Sequence, residues 1–115
     1  MSALSTIKST REIDAVFRSG TRVVTRSAVV LSCSTPEGRD QSGRIAFVAG
    51  KKLGNALLRS RAKRVLRAAA AHAGGPWPGL DVVLIARPAT APASSSAVAA
   101  DIARAVAALS PARGV

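Results

Sequence analysis

The first half of the chain changes from a helical spacing of apolar residues to a pattern typical of strands. In residues 11–20, apolar residues recur at i, i+3 and i+4 and Gly20 follows, which predicts a short helix that ends at this glycine. Residues 21–34 and 44–49 are rich in β-branched residues, which predicts two strands. Because a short connector joins these strands, we expect them to pair antiparallel.

The second half contains two helical segments with one strand between them. Residues 56–73 and 95–109 carry apolar residues at helical spacing, and a glycine pair at 74–75 ends the first of these helices. Residues 80–87 form a nearly continuous apolar run, which indicates an inner strand that is covered on both faces.

This order of elements predicts a single α/β domain. The chain has 115 residues, a length that suits one core. We expect a two-layer α/β sandwich over residues 1–115, with a loose lead-in at 1–8 and a loose C-terminal tail at 110–115. The order of elements within it is helix, strands, basic helix, strand and helix.

The net charge adds a functional constraint. The chain contains 17 Lys and Arg but 6 Asp and Glu, a formal net charge of +11. A compact domain gains nothing from this excess, since like charges repel one another in the folded state. A polyanionic partner explains it, with nucleic acid as the first candidate and an anionic membrane as the second. The alternative is a solvated surface that results from an Arg- and Ala-rich coding bias.

The positive charge is concentrated in the second predicted helix and the loop before it. Residues 51–67 contain seven Lys or Arg and no acid. At helical spacing, Arg59, Lys63 and Arg67 form one stripe, which we expect to face phosphates because like charges at this spacing destabilise an isolated helix. The opposite, apolar face is expected to dock on the sheet and consists of Leu58, Ala62, Val65, Leu66 and Ala69.

No set of residues in the sequence is suited to catalysis. His72 is the one histidine, and the six acids are scattered along the chain. A two-metal nuclease needs converging carboxylates, so we expect no catalytic residue and no metal site in the protein. We also see no signal peptide and no apolar run that spans a membrane, which favours a cytoplasmic protein. Cys33, the one cysteine, is expected to be a buried hydrophobic residue.

One spacing within the basic segment is specific. Residues 51–67 have the sequence Lys-Lys-Leu-Gly-Asn-Ala-Leu-Leu-Arg-Ser-Arg-Ala-Lys-Arg-Val-Leu-Arg. This run resembles the signature of the protein subunit of bacterial ribonuclease P, in which Gly-Asn-Ala is followed two residues later by Arg-Asn-Arg, one residue and Lys-Arg. The resemblance extends over nearly the whole chain, because the early Val-Phe-Arg-Ser-Gly at 16–20, the strands and the closing helix come in the family's order.

The resemblance implies a fold, an activity and partners. The family is similar to ribosomal-protein-like α/β folds with a left-handed βαβ crossover. Its members bind the catalytic RNA subunit and the single-stranded 5′ leader of precursor tRNA, and they promote the endonucleolytic removal of the leader that matures the tRNA 5′ end. The resemblance implies that the RNA supplies catalysis and holds Mg²⁺, and that one monomeric protein joins one RNA in the ribonucleoprotein.

The resemblance also implies which residues make each contact. Contacts with the catalytic RNA are expected at Lys51, Lys52, Asn55, Arg59, Ser60, Arg61, Lys63, Arg64 and Arg67. The leader is expected in a cleft between the first helix and the sheet, at Ile13, Phe17 and Leu31. Ser60 stands where the family signature has Asn. Ile13 and Leu31 stand where aromatic residues are frequent, which predicts weaker stacking on leader bases.

Two other classes of protein remain as alternatives. A structural RNA-binding protein, such as a ribosomal protein without a nuclease role, fits the size and charge equally well. The fixed offset between Gly-Asn-Ala at 54–56 and the cations that follow favours the ribonuclease P subunit. A metal-dependent nuclease that acts without RNA is disfavoured by the scattered acids.

Overall fold

A computed structural model describes residues 10–35 and 42–109. Three segments lie outside the described residues. They are the expected lead-in at 1–8 together with residue 9, residues 36–41 of the connector between the second and third strands, and the expected C-terminal tail at 110–115. The elements in chain order are helix α1 (Thr10–Ser19), strands β1 (Thr21–Val24), β2 (Ala28–Ser34) and β3 (Arg44–Val48), a 3-10 turn (Lys51–Leu53), helix α2 (Ala56–His72), strand β4 (Leu80–Ala86) and helix α3 (Ser95–Leu109).

Strand β4 lies inside a mixed four-stranded sheet. The strand order is β1-β2-β4-β3, with β4 antiparallel to β2 and parallel to β3. The inner position predicted for residues 80–87 is confirmed. The antiparallel pairing predicted for 21–34 with 44–49 is wrong, because β4 lies between β2 and β3 and hydrogen-bonds to both. A nearly continuous apolar strand buries more apolar surface in this inner position than it would at the edge of the sheet.

The segment predicted as one strand over residues 21–34 is a hairpin. Strand β1 pairs antiparallel with β2 along its whole length. Thr25 closes the turn, since its Oγ1 donates to the Ala28 carbonyl oxygen at 2.7 Å and accepts from the Ala28 N–H at 3.1 Å. The turn residues at 25–27 are Thr-Arg-Ser, so the Gly, Pro or Asn that usually marks a turn is missing and the side chain of Thr25 replaces it.

The principal core lies between one face of the sheet and helices α2 and α3. Its fully buried residues include Val30, Ile45, Ala62, Leu66, Leu84, Val98 and Ile102. The end points and apolar stripe predicted for the last helix are confirmed, with Val98, Ile102, Ala105 and Val106 buried and Leu109 partly buried. Two alanine-rich helices thus pack side by side and against the sheet.

Helix α1 covers part of the opposite face of the sheet. Val16 packs with Leu31, Ala46 and Val83, which come from three neighbouring strands. Gly20 ends the helix as predicted. Its N–H donates to the Val16 carbonyl oxygen at 2.7 Å, and a Cβ at this residue would lie 2.4 Å from the same oxygen. The α/β class and the element order are confirmed, and α1 adds a partial third layer to the expected two.

The connection from β3 to β4 passes through α2 and joins two parallel neighbours in the sheet. Parallel neighbours require a crossover of this kind, since no tight turn can join them. This is the βαβ unit that the resemblance implies, and its left-handed sense remains a prediction.

Ion pairs hold α1 against the sheet at the start of β3. The Arg44 guanidinium donates to a carboxylate oxygen of Glu12 at 3.0 Å and to one of Asp81 at 2.9 Å. Asp81 is 3% exposed and also accepts a hydrogen bond from Thr35 Oγ1 at 3.2 Å. One cation thus links α1, β3 and β4 and compensates a carboxylate that the fold buries.

We predict that Arg44→Met destabilises the protein by about 3 kcal/mol, because the buried Asp81 carboxylate loses its cation. Glu12→Gln is the matched variant, since it removes the more exposed of the two pairs, and it should cost less than about 1 kcal/mol. Urea unfolding followed by circular dichroism measures both free energies. Equal losses in the two variants would contradict the dominant role of the Arg44–Asp81 pair.

Candidate nucleic-acid interface

Helix α2 begins at a cap formed by Gly54 and Asn55. Gly54 has a φ of +127°, a conformation that L residues rarely adopt, and a Cβ there would lie 2.8 Å from Leu58 Cδ1. The Asn55 Oδ1 accepts a hydrogen bond from the Leu58 N–H at 3.0 Å. The Gly-Asn part of the sequence signature therefore has a folding role at the helix start. The RNA contact predicted for Asn55 stays a prediction.

The inward face of α2 holds the helix on the sheet. Three of the residues predicted for this face are fully buried, namely Ala62, Leu66 and Ala69. Val65 is half-buried. Leu58 was predicted to belong to this face but is 41% exposed, because its side chain lies next to Gly54 in the first turn and not on the sheet.

The stripe of Arg59, Lys63 and Arg67 lies on the flank of α2 beside β3. The Arg67 guanidinium carbon is 5.0 Å from the centre of the Phe47 ring, a cation–π contact. Arg59 is half-buried and, with Lys63, borders a shallow pocket of about 210 Å³. Its Nε is buried and has no hydrogen-bond partner among the described residues. Part of the predicted phosphate-facing stripe is thus held against the protein surface.

The outward face of α2 consists of Leu57, Ser60, Arg61 and Arg64. At 100° per residue these positions lie opposite the buried residues, and all four side chains are exposed. The helix contains no acid, so no carboxylate of α2 neutralises Arg61 or Arg64. The 3-10 turn before the helix adds two more exposed cations, Lys51 and Lys52. The structure therefore presents four exposed cations around the start of α2, with no acid among them on the helix.

The face of the sheet that carries α1 has aligned rows of side chains. The strand register places one row beneath α1, formed by Arg22, Leu31, Val83 and Ala46. The next row along the strands, the apolar row, consists of Val24, Val29, Ile85 and Val48. Val24 is 54% exposed, and both Ile85 and Val48 are half-buried. Val29 between them is buried at 7% exposure, so the apolar row is accessible at its two ends, at Val24 and at Ile85 with Val48.

An open cleft adjoins the β3 end of the apolar row. It has a volume of about 620 Å³ and is lined by Val48 and Ile85 together with Lys51, Lys52 and Arg87. Apolar side chains next to three cations form a surface that suits bases and phosphates at the same time. Sequence reasoning missed Arg87 and the apolar row, because only the strand register brings these residues together.

The three residues predicted to bind the leader occupy different environments. Phe17 on α1 is 47% exposed. Ile13 is half-buried against the core beneath α1, and Leu31 belongs to that core with 4% exposure. Phe17 therefore offers most of the contact surface among the three. The contacts predicted for Ile13 and Leu31 stay predictions, and the burial of Leu31 leaves little of its side chain for a ligand.

Three of the four described carboxylates, those of Glu12, Asp81 and Asp101, form contacts within the fold. In residues 10–35 and 42–109, no three His, Cys, Asp or Glu side chains lie together as metal ligands. Asp101 accepts a hydrogen bond from Ser27 Oγ at 2.7 Å and forms an ion pair with Arg104. His72 is exposed at the end of α2. None of the described helices has the length and apolar character that a membrane span requires.

Cys33 was expected from the sequence to be buried, but it is half-buried in the structure. It lies opposite Asp81 in the pairing of β2 with β4. Burial and the Asp81 carboxylate raise the pKa of the Cys33 thiol, and Arg44 lowers it to a smaller extent. The thiol is therefore protonated at neutral pH and is a poor nucleophile.

Comparison with known proteins assigns the family. The family model for ribonuclease P matches residues 1–110. The chain belongs to the ribonuclease P protein family. A ribonuclease P protein component from Brevibacillus brevis is 39% identical over 87 residues, which are 71% of this chain and 64% of that relative. The match to the component from Beutenbergia cavernae is 34% identical over 101 residues and covers 87% of this chain and 83% of the relative.

Solved structures of ribonuclease P proteins share the fold. The Staphylococcus aureus RNase P protein is 25% identical and superposes with a TM-score of 0.72, covering 90% of this chain and 94% of that one. The Thermotoga maritima RNase P protein is 22% identical and has a TM-score of 0.75, covering 92% and 98%. The family fold implied by the sequence signature is thus confirmed. The alignment with the Brevibacillus relative spans less than two thirds of that protein's length.

We predict that Asn55→Ala lowers the stability of this ribonuclease P family member by about 1 kcal/mol, because α2 loses its side-chain cap. Asn55→Asp is the matched variant. Its carboxylate keeps the acceptor for the Leu58 N–H and suits the helix N-terminus, so stability should be retained while the added negative charge weakens RNA binding. Thermal unfolding and RNA titration measure the two effects. An Asn55→Ala protein with unchanged stability would contradict the capping role.

Proposed function

We propose that the chain is the protein subunit of ribonuclease P. It binds the catalytic RNA through α2 and the turn before it, and it receives the 5′ leader of precursor tRNA along the apolar row beside α1 and in the cleft at the β3 end of that row. The product is a tRNA with a mature 5′ end. The observation that carries this proposal is the acid-free cationic surface of α2, which a capped helix start and a buried inward face hold in one orientation.

The physical basis of RNA binding is the release of counterions. Arg61 and Arg64 on the outward face gain phosphate partners, and each phosphate neutralised releases condensed cations from the RNA. Arg guanidinium groups also form paired hydrogen bonds with phosphate oxygens. On the flank, the exposed Lys63 lies beside the half-buried Arg59 at a shallow pocket, where it offers a further phosphate contact.

The leader is proposed to follow the apolar row into the cleft. Bases of a single strand pack on the accessible aliphatic residues and on Phe17, and its phosphates lie near Lys51, Lys52 and Arg87. The row is aliphatic, so base contact relies on burial of apolar area more than on ring stacking. Such a surface binds a strand with little dependence on its sequence.

Hydrolysis of the phosphodiester is proposed to belong to the RNA. The four described carboxylates do not fit a Mg²⁺ site, because Glu12 and Asp81 are paired with Arg44, Asp101 is paired with Arg104, and the exposed Asp14 belongs to no group of three potential metal ligands. Bound by the RNA, Mg²⁺ would supply the activated water and charge stabilisation. The protein screens the repulsion between the two RNAs and positions the substrate. We propose that it does so as a monomer in a 1:1 ribonucleoprotein in the cytoplasm.

Reconstitution with the cognate catalytic RNA tests the function. Precursor tRNA cleavage is measured at a Mg²⁺ concentration at which the RNA alone is slow, with and without the protein. We expect strong stimulation by the protein and no cleavage by the protein without RNA. Absence of stimulation would overturn the proposed subunit role. Cleavage without RNA would place the chemistry in the protein instead.

We predict that Arg61→Ala and Arg64→Ala each weaken binding of the catalytic RNA, by roughly three- to tenfold at low salt, and reduce the slope of log Kd against log salt by about one unit. The matched control is Arg104→Ala, a cation on α3 outside the proposed surface, which should leave the slope unchanged. Filter binding over a KCl series measures both quantities. Unchanged slopes in the α2 variants would exclude this face as the phosphate contact.

We predict that Phe17→Ala weakens binding of precursor tRNA to the reconstituted holoenzyme by about fivefold, as expected for the loss of one base contact. Mature tRNA without a leader is the control ligand, and its affinity should not change. Fluorescence titration with leaders of increasing length locates the contact. Equal losses for both ligands would show that Phe17 acts on the fold or on tRNA outside the leader.

A further inference from the structure

We propose that Leu57 is a contact for an unstacked nucleobase of the RNA that α2 binds. This inference deepens the proposed function and rests on it. Leu57 is 72% exposed, the highest value among the large hydrophobic residues that the structure describes as exposed. It lies in the first turn of α2, two residues after the Asn55 cap.

The surroundings of Leu57 are cationic. Ser60, Arg61 and Arg64 follow it at i+3, i+4 and i+7, so they share its side of the helix, and all are exposed. RNA that binds these two arginines is expected next to the leucine, which lies one helical turn from Arg61. The leucine is therefore dehydrated in the same contact, whatever part of the RNA it meets.

Folding does not require a leucine at this position. Neither Leu57 nor its neighbour Leu58 belongs to the two apolar cores of the described chain, and Leu58, the less exposed of the two, lies next to Gly54 in the first turn. Lys, Arg and Gln have helix propensities similar to that of Leu, so a polar residue would serve α2 equally well. A single exposed leucine is ordinary on a protein surface. On the acid-free cationic face of α2, however, this leucine lies where the proposed RNA partner binds.

RNA offers two kinds of surface to such a residue. Phosphate oxygens are strongly hydrated, and dehydrating them against an aliphatic side chain is unfavourable. Base faces are apolar, and covering one with leucine removes apolar area from water. Base faces are hidden in a continuous A-form helix and become accessible in loops, bulges and strand ends. We infer that α2 docks on a non-helical element of the catalytic RNA, with one base over Leu57.

Two substitutions at Leu57 test the inference. Catalytic-RNA affinity is measured over a KCl series for Leu57→Ser and Leu57→Lys, with Leu58→Ser as the matched control and circular dichroism as the check on folding. We expect Leu57→Ser to weaken binding about tenfold at every salt concentration with an unchanged salt slope, because a neutral side chain releases no counterions. Leu57→Lys should also weaken binding, although it adds a positive charge. Leu58→Ser should stay within about twofold of the wild type.

Other results would overturn the inference. Tighter binding by Leu57→Lys would mean that the neighbour is a phosphate. Unchanged affinity of Leu57→Ser, with Arg61→Ala still weakened, would remove the base contact and leave the proposed function intact. Unchanged affinity of both Leu57→Ser and Arg61→Ala would overturn the proposal that α2 binds the RNA at all. Sedimentation of the protein without RNA tests a further alternative. If the wild-type protein is a dimer and Leu57→Ser is a monomer, the leucine belongs to a contact between copies of the chain.

An abasic scan of the RNA locates the base. Nucleotides that the wild-type protein protects from chemical probing are replaced one at a time by abasic residues. At the contacted nucleotide, the abasic substitution should weaken binding of the wild-type protein and have no further effect on Leu57→Ser, because both changes remove the same contact. Additive losses at every protected nucleotide would overturn the inference.

Discussion

The insertion of β4 between β2 and β3 is the constraint on which the other elements depend. Successive residues of this strand point to opposite faces, so that Leu84 belongs to the core beneath α2 and α3 and Val83 to the core beneath α1. Because β4 runs parallel to β3, the chain between them must cross one face of the sheet, and that crossing segment is α2. Burial of one apolar strand thus requires a crossing helix, and because α2 occupies one face of the sheet, the other face is left to α1 and the apolar row.

Some cations of the chain make contacts within the fold, others face the proposed partner, and Arg87 does both. Arg44 pairs with two carboxylates, Arg67 lies over the Phe47 ring, and Arg87 donates to the Thr25 carbonyl oxygen at 2.6 Å. In each of these contacts the guanidinium group has a partner within the protein, either a carboxylate, an aromatic ring or a carbonyl oxygen. Arg61 and Arg64 lie on an exposed helix face without acids, where the charge costs stability until an anion arrives. Binding of the proposed RNA partner would turn this cost into affinity.

Local patterns predicted the helices well, and long-range pairing limited the rest. The bounds of α3 and the glycine end of α1 follow from residues that are neighbours in sequence, which a spacing argument captures. The strand pairing depends on contacts between distant segments, so a preference for joining consecutive strands gave the wrong neighbours. At the candidate site, the cations of α2 were visible because one helix carries them. The apolar row was not visible, because four strands contribute one residue each and only their register aligns them.

Gly20 is the whole connector between α1 and β1, since the helix ends at Ser19 and the strand begins at Thr21. A one-residue link leaves no slack, and the close approach of its backbone to Val16 excludes a side chain at that point. The helix is therefore anchored at its C-terminal end to a hydrogen-bonded hairpin and at its N-terminal end to the ion pair with Arg44. The distance between α1 and the apolar row is therefore set by the sheet, and it is defined as accurately as the position of a strand and not as loosely as that of a surface loop.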